Sequence, residues 1–120
     1  MTDQAIAKRP GELATLLEHV FDAAKEEVFE DGMESVFSHA LASLVEHQGH
    51  TNQMKDLLGN WVLLGRASPH VLSECLRCLG RLDHRVTRRY RRSLLERCLQ
   101  SRSSVVRDAA GLGLAGSAAT

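Results

Sequence analysis

Sliding the sequence along itself by 35 residues brings Val36, Val71 and Val106 into one column, Ala40, Cys75 and Ala110 into a second, and Leu44, Leu79 and Leu114 into a third. Within each unit the columns stand four residues apart, so valine, small residue and leucine lie along one face of an α-helix. A repeat of this length has room for two helices. Each such hairpin is amphipathic alone and buries its stripe only by stacking on its neighbours, which describes an α-solenoid of three units. The helices that precede the columns align less well, with Ala24, Gly59 and Leu94, then Val28, Leu63 and Cys98, as the best matches.

Apolar residues at three- and four-residue steps place the helices individually. Leu13, Leu16, Leu17, Val20, Phe21, Ala24 and Val28 form a first stripe that runs to Asp31-Gly32, and Met33 to Val45 a second that ends at Gly49. Met54 to Leu64, weakened by Gly59 and closed by Gly65, form a third. Ser68 as N-cap with Pro69 at the first helical position opens a fourth, for which Gly80 is the expected C-terminal glycine. Tyr90 to Leu99 carry a fifth helix, and Ser103 caps a sixth bearing Val105, Val106, Ala109, Ala110 and Leu114. No alternating segment of useful length calls for a strand. The expectation is one all-α solenoid domain over residues 1–120, with repeats at 12–48, 50–80 and 86–115. With 43% hydrophobic and 25% charged residues in a chain of 120, collagen, low-complexity and multi-domain enzyme classes are excluded. Aromatic residues are few, so Leu, Val and Ala are expected to fill the core.

Ser103 to Ala115 resembles the second helix of a HEAT repeat: a cap, the pair Val106-Arg107, small residues at Ala109 and Ala110, and Leu114. Ser68 to Gly80 is similar but has Leu72 where the family's arginine sits, and Met33 to Glu46 matches only in its apolar column. The resemblance covers the C-terminal two-thirds of the chain. It implies second helices lining an inner surface and a scaffold or binding role, with proteins the usual partners and nucleic acid an occasional one.

The formal net charge of zero conceals a division. Residues 1–65 hold four basic groups against eleven acidic ones, a net of −7, whereas residues 66–120 hold eleven arginines against four acids, a net of +7. Such a dipole orients a charged partner during encounter, or lets the ends of neighbouring molecules attract. The basic half presents Arg77, Arg81, Arg85, Arg88, Arg89 and Arg92 as a candidate docking surface, because guanidinium forks match carboxylate and phosphate pairs. A solvated helix face is the plain alternative. Nucleic acid suits this patch less than protein does, since it has almost no lysine and only Tyr90 to stack on a base. Glu26, Glu27, Glu30, Asp31 and Glu34 form an acidic counterpart around the first hairpin turn, read as a helix end with exposed acids or as a contact for a basic partner.

Catalytic and metal signatures are missing. Cys75 and Cys78 with Cys98 and His84 offer no second close pair of the kind zinc prefers, and Cys75 falls in the small-residue column, so buried thiols are expected and no cofactor or metal is assigned. His39, His47, His50, His70 and His84 are scattered. Gly111, Gly113 and Gly116 read as close-packing positions rather than a phosphate loop. The odd cysteine count, the absence of an apolar run in residues 1–10 and the lack of a bilayer-length stretch point to a cytoplasmic chain with no membrane role. The last helix lacks a charged outer face, which marks it for self-association, a partner, or membership of a longer array. These features suit a non-catalytic protein-interaction module, in size and form a small bacterial regulator, adaptor or toxin-neutralising, immunity-like protein. Nucleic-acid backbone binding through the arginines is the alternative.

Overall fold

Hydroxyl caps set most of the helix starts. Ser35, Thr51, Ser68 and Ser103 each accept, through the side-chain oxygen, the N–H three residues on, at 3.0, 3.1, 3.3 and 3.3 Å. This satisfies donors that a helix leaves without an internal partner. The computed structural model describes residues 11–30 and 32–118. They form α1 (Glu12–Ala24), α2 (Val36–Gln48), α3 (Asn52–Leu63), α4 (Pro69–Arg81), α5 (Arg88–Cys98) and α6 (Ser104–Ala118), with a 3-10 turn at Arg85–Thr87 and no strand among the described residues. The chain is therefore all-α, as the periodicity requires.

The odd-numbered helices pack side by side in one layer and the even-numbered ones in another. Ser35 reaches Glu74 and Cys78 reaches Ser38, pairs separated by 39 and 40 residues, so α2 and α4 run parallel. Tyr90 on α5 likewise reaches Lys55 on α3. Short connections make the two layers antiparallel to each other, so the α1–α2 turn and the α4–α5 turn lie on opposite edges of a body measuring 39 × 30 × 26 Å. Helix α4 sits between α2 and α6 and is buried on nearly every side, from Val71 to Leu76 and again from Cys78 to Gly80.

The valine and small-residue columns hold in the central and last units, where Val71, Cys75, Val106 and Ala110 are all buried, and in the leucine column Leu44 and Leu79 are buried while Leu114 is half-buried. The first unit departs from the first two columns. Val36 is 75% exposed and Ala40 only half-buried, while Phe37, Leu41 and Val45, one residue on, are in the core. Phe37 is drawn inward by aromatic packing: it meets Phe21 edge-on at 5.2 Å, and Phe21 stacks on Trp61 at 4.4 Å. Phe29 adds a tilted contact to Phe37, so the scarce aromatics gather in one cluster that fastens α1, α2 and α3 together.

The first helix also stops early. It ends at Ala24 rather than at Asp31-Gly32, leaving Val28 81% exposed. Glu26 and Glu27 oppose the negative pole of a helix C-terminus. Glu27 instead turns to the start of α2, where its Oε2 and Oε1 accept the Val36 and Phe37 N–H groups at 2.7 and 3.0 Å. A carboxylate at this positive pole stabilises α2 by roughly 1 kcal/mol.

Gly80 is not a terminal glycine. Helix α4 continues to Arg81, and Gly80 lies where α4 crosses α6, so close that a Cβ there would overlap the Gly113 backbone. Gly113 is a close-packing position, whereas Gly111 has nothing within 4 Å of where its Cβ would stand, and Gly116 reaches only ordinary contact, 3.9 Å from Gly80 O.

Candidate functional site

The six arginines of the predicted basic surface separate into two groups. Arg77 and Arg81 lie on α4 beside Glu74, a carboxylate only 3% exposed, with Arg81 Nη2 at 3.5 Å from its Oε2 and Arg77 Nε at 3.9 Å from its Oε1. The Ser35 hydroxyl donates to the same carboxylate at 2.9 Å. Burial of a carboxylate demands such partners, so these two arginines, on the same helix, neutralise Glu74 while Ser35 ties it to α2.

Arg85, Arg88, Arg89 and Arg92 form the second group. Together with Ser93 and Glu96 they line an open depression of about 520 Å³ at the start of α5. Their orientation follows from Tyr90. Its hydroxyl donates to Lys55 O on α3, and residues two positions away on a helix lie about 200° round the axis, so Arg88 and Arg92 face away from α3. Burial pushes the Tyr90 phenol up to about 12, keeping it protonated as that donor. Glu96 is the one carboxylate among the lining residues, with Arg92 Nη2 at 3.9 Å from its Oε2. Such a surface pair is worth at most about 1 kcal/mol. The depression is thus strongly electropositive. Arg91, in the same run, points inward and is buried.

The acidic set is dispersed as well. Glu27 is committed to the α2 N-terminus, and Glu34 Oε1 lies 2.7 Å from His39 Nε2. Glu26 and Glu30 are exposed, and Asp31 lies outside the described residues. Glu26 and Glu27 border a groove of about 300 Å³ whose remaining lining is apolar: Val20, Ala23, Val36, Phe37 and Ala40. Sequence reasoning did not find this groove. The sequence carries no signal for it, because the repeat register puts Val36 and Ala40 in the interior, whereas Val36 lies on the far side of α2 from α4.

Cys75, Cys78 and Cys98 are free and buried, and no group of three His, Cys, Asp or Glu side chains suited to a metal occurs among the described residues. Burial pushes the Cys75 thiol well above its ordinary range and that of Cys78 from 9.0 to about 12, against the opposing pull of Arg81. The folded state therefore favours the neutral thiol. The stability this contributes is complete below pH 9 and is lost as the pH climbs toward 12. Iodoacetamide at about pH 8 is expected to leave both thiols unmodified in the folded chain and to label both in urea. Native labelling at the rate of a small free thiol would contradict this burial.

No helix among the described residues is long and apolar enough to cross a membrane. No protein-family model matches the chain, and comparisons with curated proteins and with solved structures gave no match either.

Proposed function

We propose that this chain is a non-catalytic protein-interaction module, a HEAT-like stack of three hairpins, which docks on a carboxylate-rich protein surface through Arg85, Arg88, Arg89 and Arg92. The observation that carries this reading is that four arginines line one open depression with a single carboxylate among its lining residues. Arginine forks recognise carboxylates bidentately and are more weakly hydrated than ammonium groups, which favours them at protein interfaces. Nucleic acid is disfavoured by the inward turn of Tyr90 toward Lys55 O, which leaves the face without an aromatic ring for bases. A small bacterial regulator, adaptor or toxin-neutralising protein of the cytoplasm is the role this size and form fit.

Binding of a fluorescent Glu/Asp-rich peptide, followed by anisotropy, tests the reading. The Arg88→Glu/Arg92→Glu chain is expected to bind on the order of tenfold or more weakly while keeping its far-ultraviolet helicity, because reversal replaces attraction by like-charge repulsion. Equal affinity of both chains removes the proposal. Tighter binding of duplex DNA, falling steeply with salt, transfers the surface to nucleic acid.

A further inference from the structure

We propose that the acidic partner is a second copy of this chain, and that copies stack end to end, the C-terminal hairpin of one seated on the N-terminal hairpin of the next. This rests on the interaction-module reading and names its partner.

The N-terminal end is defined by α1 and α2. Ser38 O accepts the Cys78 thiol and so marks the face of α2 toward α4. Val36 and Ala40, two residues to either side, lie about 200° away and face outward. With Val20, Ala23 and Phe37 they make the apolar groove, bordered by Glu26 and Glu27, and the neighbouring connection adds exposed Glu30 and Glu34. The C-terminal end is defined by α5 and α6. Arg88 and Arg92 face away from α3, and on α6 Val105 and Leu112 are 49% and 63% exposed while Gly113 packs against Leu76 and Leu95.

Each end therefore has an apolar centre and a charged margin, and the margins are opposite in sign, as are the two halves of the sequence at −7 and +7. Within one molecule the ends cannot meet, because α3 and α4 stand between them. Between molecules they complement each other. Since α2 and α4 run parallel, as do α3 and α5, a copy placed with its α1 against α5 and its α2 against α6 continues both layers in the same direction. The two contact surfaces are different, so the contact is heterologous and generates an open array rather than a closed two-fold pair.

Sedimentation equilibrium of the full chain over a range of concentrations is the test. The weight-average mass is expected to rise beyond twice the monomer value of 13.2 kDa at low ionic strength and to fall toward it as salt screens the margins. Arg88→Glu/Arg92→Glu reverses one end and Glu26→Arg/Glu30→Arg the other, sparing the Glu27 cap. Each variant alone is expected to stay monomeric, and an equimolar mixture to assemble, because the reversed ends complement each other. A wild-type chain that remains monomeric, a species that stops at the dimer, or variants that assemble singly like the wild type each overturn the proposal. If the chain stays monomeric yet binds the acidic peptide through its arginines, only the second-copy partner is lost. If the peptide does not bind and the chain stays monomeric, the interaction reading fails together with the second-copy partner.

Discussion

Gly80→Ala is expected to destabilise the fold by about 2–4 kcal/mol, although glycine to alanine inside a helix ordinarily stabilises by roughly 0.5–1 kcal/mol. The reversal of sign comes from the α4–α6 crossing. A methyl group on Gly80 would meet the Gly113 backbone, with the carbonyl oxygen at 2.6 Å and the carbonyl carbon at 2.8 Å. A side-chain tip in that place would rotate aside, but backbone yields only if one helix moves. On the opposite side of the contact, a methyl on Gly113 would meet Leu95 Cδ2 at 2.9 Å and Leu76 O at 3.0 Å, so neither partner has slack. Separating the helices strips dispersion contacts from Leu76, Leu95, Ala109 and Ala110, all buried at or near this seam. Out of a total stability of about 5–15 kcal/mol, the loss corresponds to a fall in Tm on the order of 15 °C. Gly111→Ala is the control. Nothing lies within 4 Å of its Cβ position, so the helix-propensity gain of roughly 0.5–1 kcal/mol stands alone and stability rises. Urea unfolding followed by circular dichroism measures both. Two changes of the same sign would mean that α4 and α6 do not cross at these glycines.

What the residues disclose about this fold is local chemistry, and what they conceal is which surfaces other elements cover. Ser68-Pro69 and Ser103 announce helix starts because a cap acts on amides three residues away. The columns through Val71, Cys75 and Leu79 are legible because a central helix is covered on most sides, so any apolar register through it reads as core. Val36 misleads for the converse reason: among the described residues no helix covers that flank of α2, and periodicity specifies stripes without saying which is covered. Glu27 capping α2 from nine residues upstream is non-local, and no local capping rule anticipates it. Gly80 satisfies the rule for a helix C-terminus, yet the approach of Gly113, 33 residues later, determines its place. The arginines show the same limit. Arg85, Arg88 and Arg92 stand three and four apart, a helical spacing, and line one depression, while Arg77 and Arg81, three and seven residues from Glu74 on α4, turn to a carboxylate whose burial the sequence does not disclose.

Arg91 is the arginine whose loss should cost the fold most, about 3–5 kcal/mol on substitution by alanine. It is 3% exposed and makes three hydrogen bonds: Nη1 donates to Leu79 O at 2.6 Å, Nη2 to His84 O at 2.7 Å and Nε to Thr87 Oγ1 at 3.0 Å. Leu79 belongs to the last turn of α4, where carbonyls have no partner within the helix, and the chain leaves it through extended Leu82. The guanidinium thus supplies donors that the backbone lacks, and the negative pole of α4 offsets part of its desolvation. Burial, and to a lesser degree Arg88, lower its pKa, but an arginine starts high enough to remain charged. Alanine would leave Leu79 O short of a donor and His84 O with only the Thr87 hydroxyl at 3.4 Å, at about 1–3 kcal/mol each before relaxation, while Thr87 Oγ1 keeps His84 Nδ1 at 2.9 Å. Arg91→Lys should restore little, because one ammonium cannot span three acceptors fixed by a planar fork. Urea unfolding of both variants checks this, and stability within 1 kcal/mol of the wild type for either would show that the corner does not depend on the fork. The same corner carries the 3-10 turn at Arg85–Thr87 and the first turn of α5, so Arg91 holds the geometry of the arginine depression without contacting anything that binds there. Arg91→Lys should accordingly weaken the acidic peptide, although the surface charge is unchanged. A pure charge surface would ignore that substitution, whereas a shaped one would not.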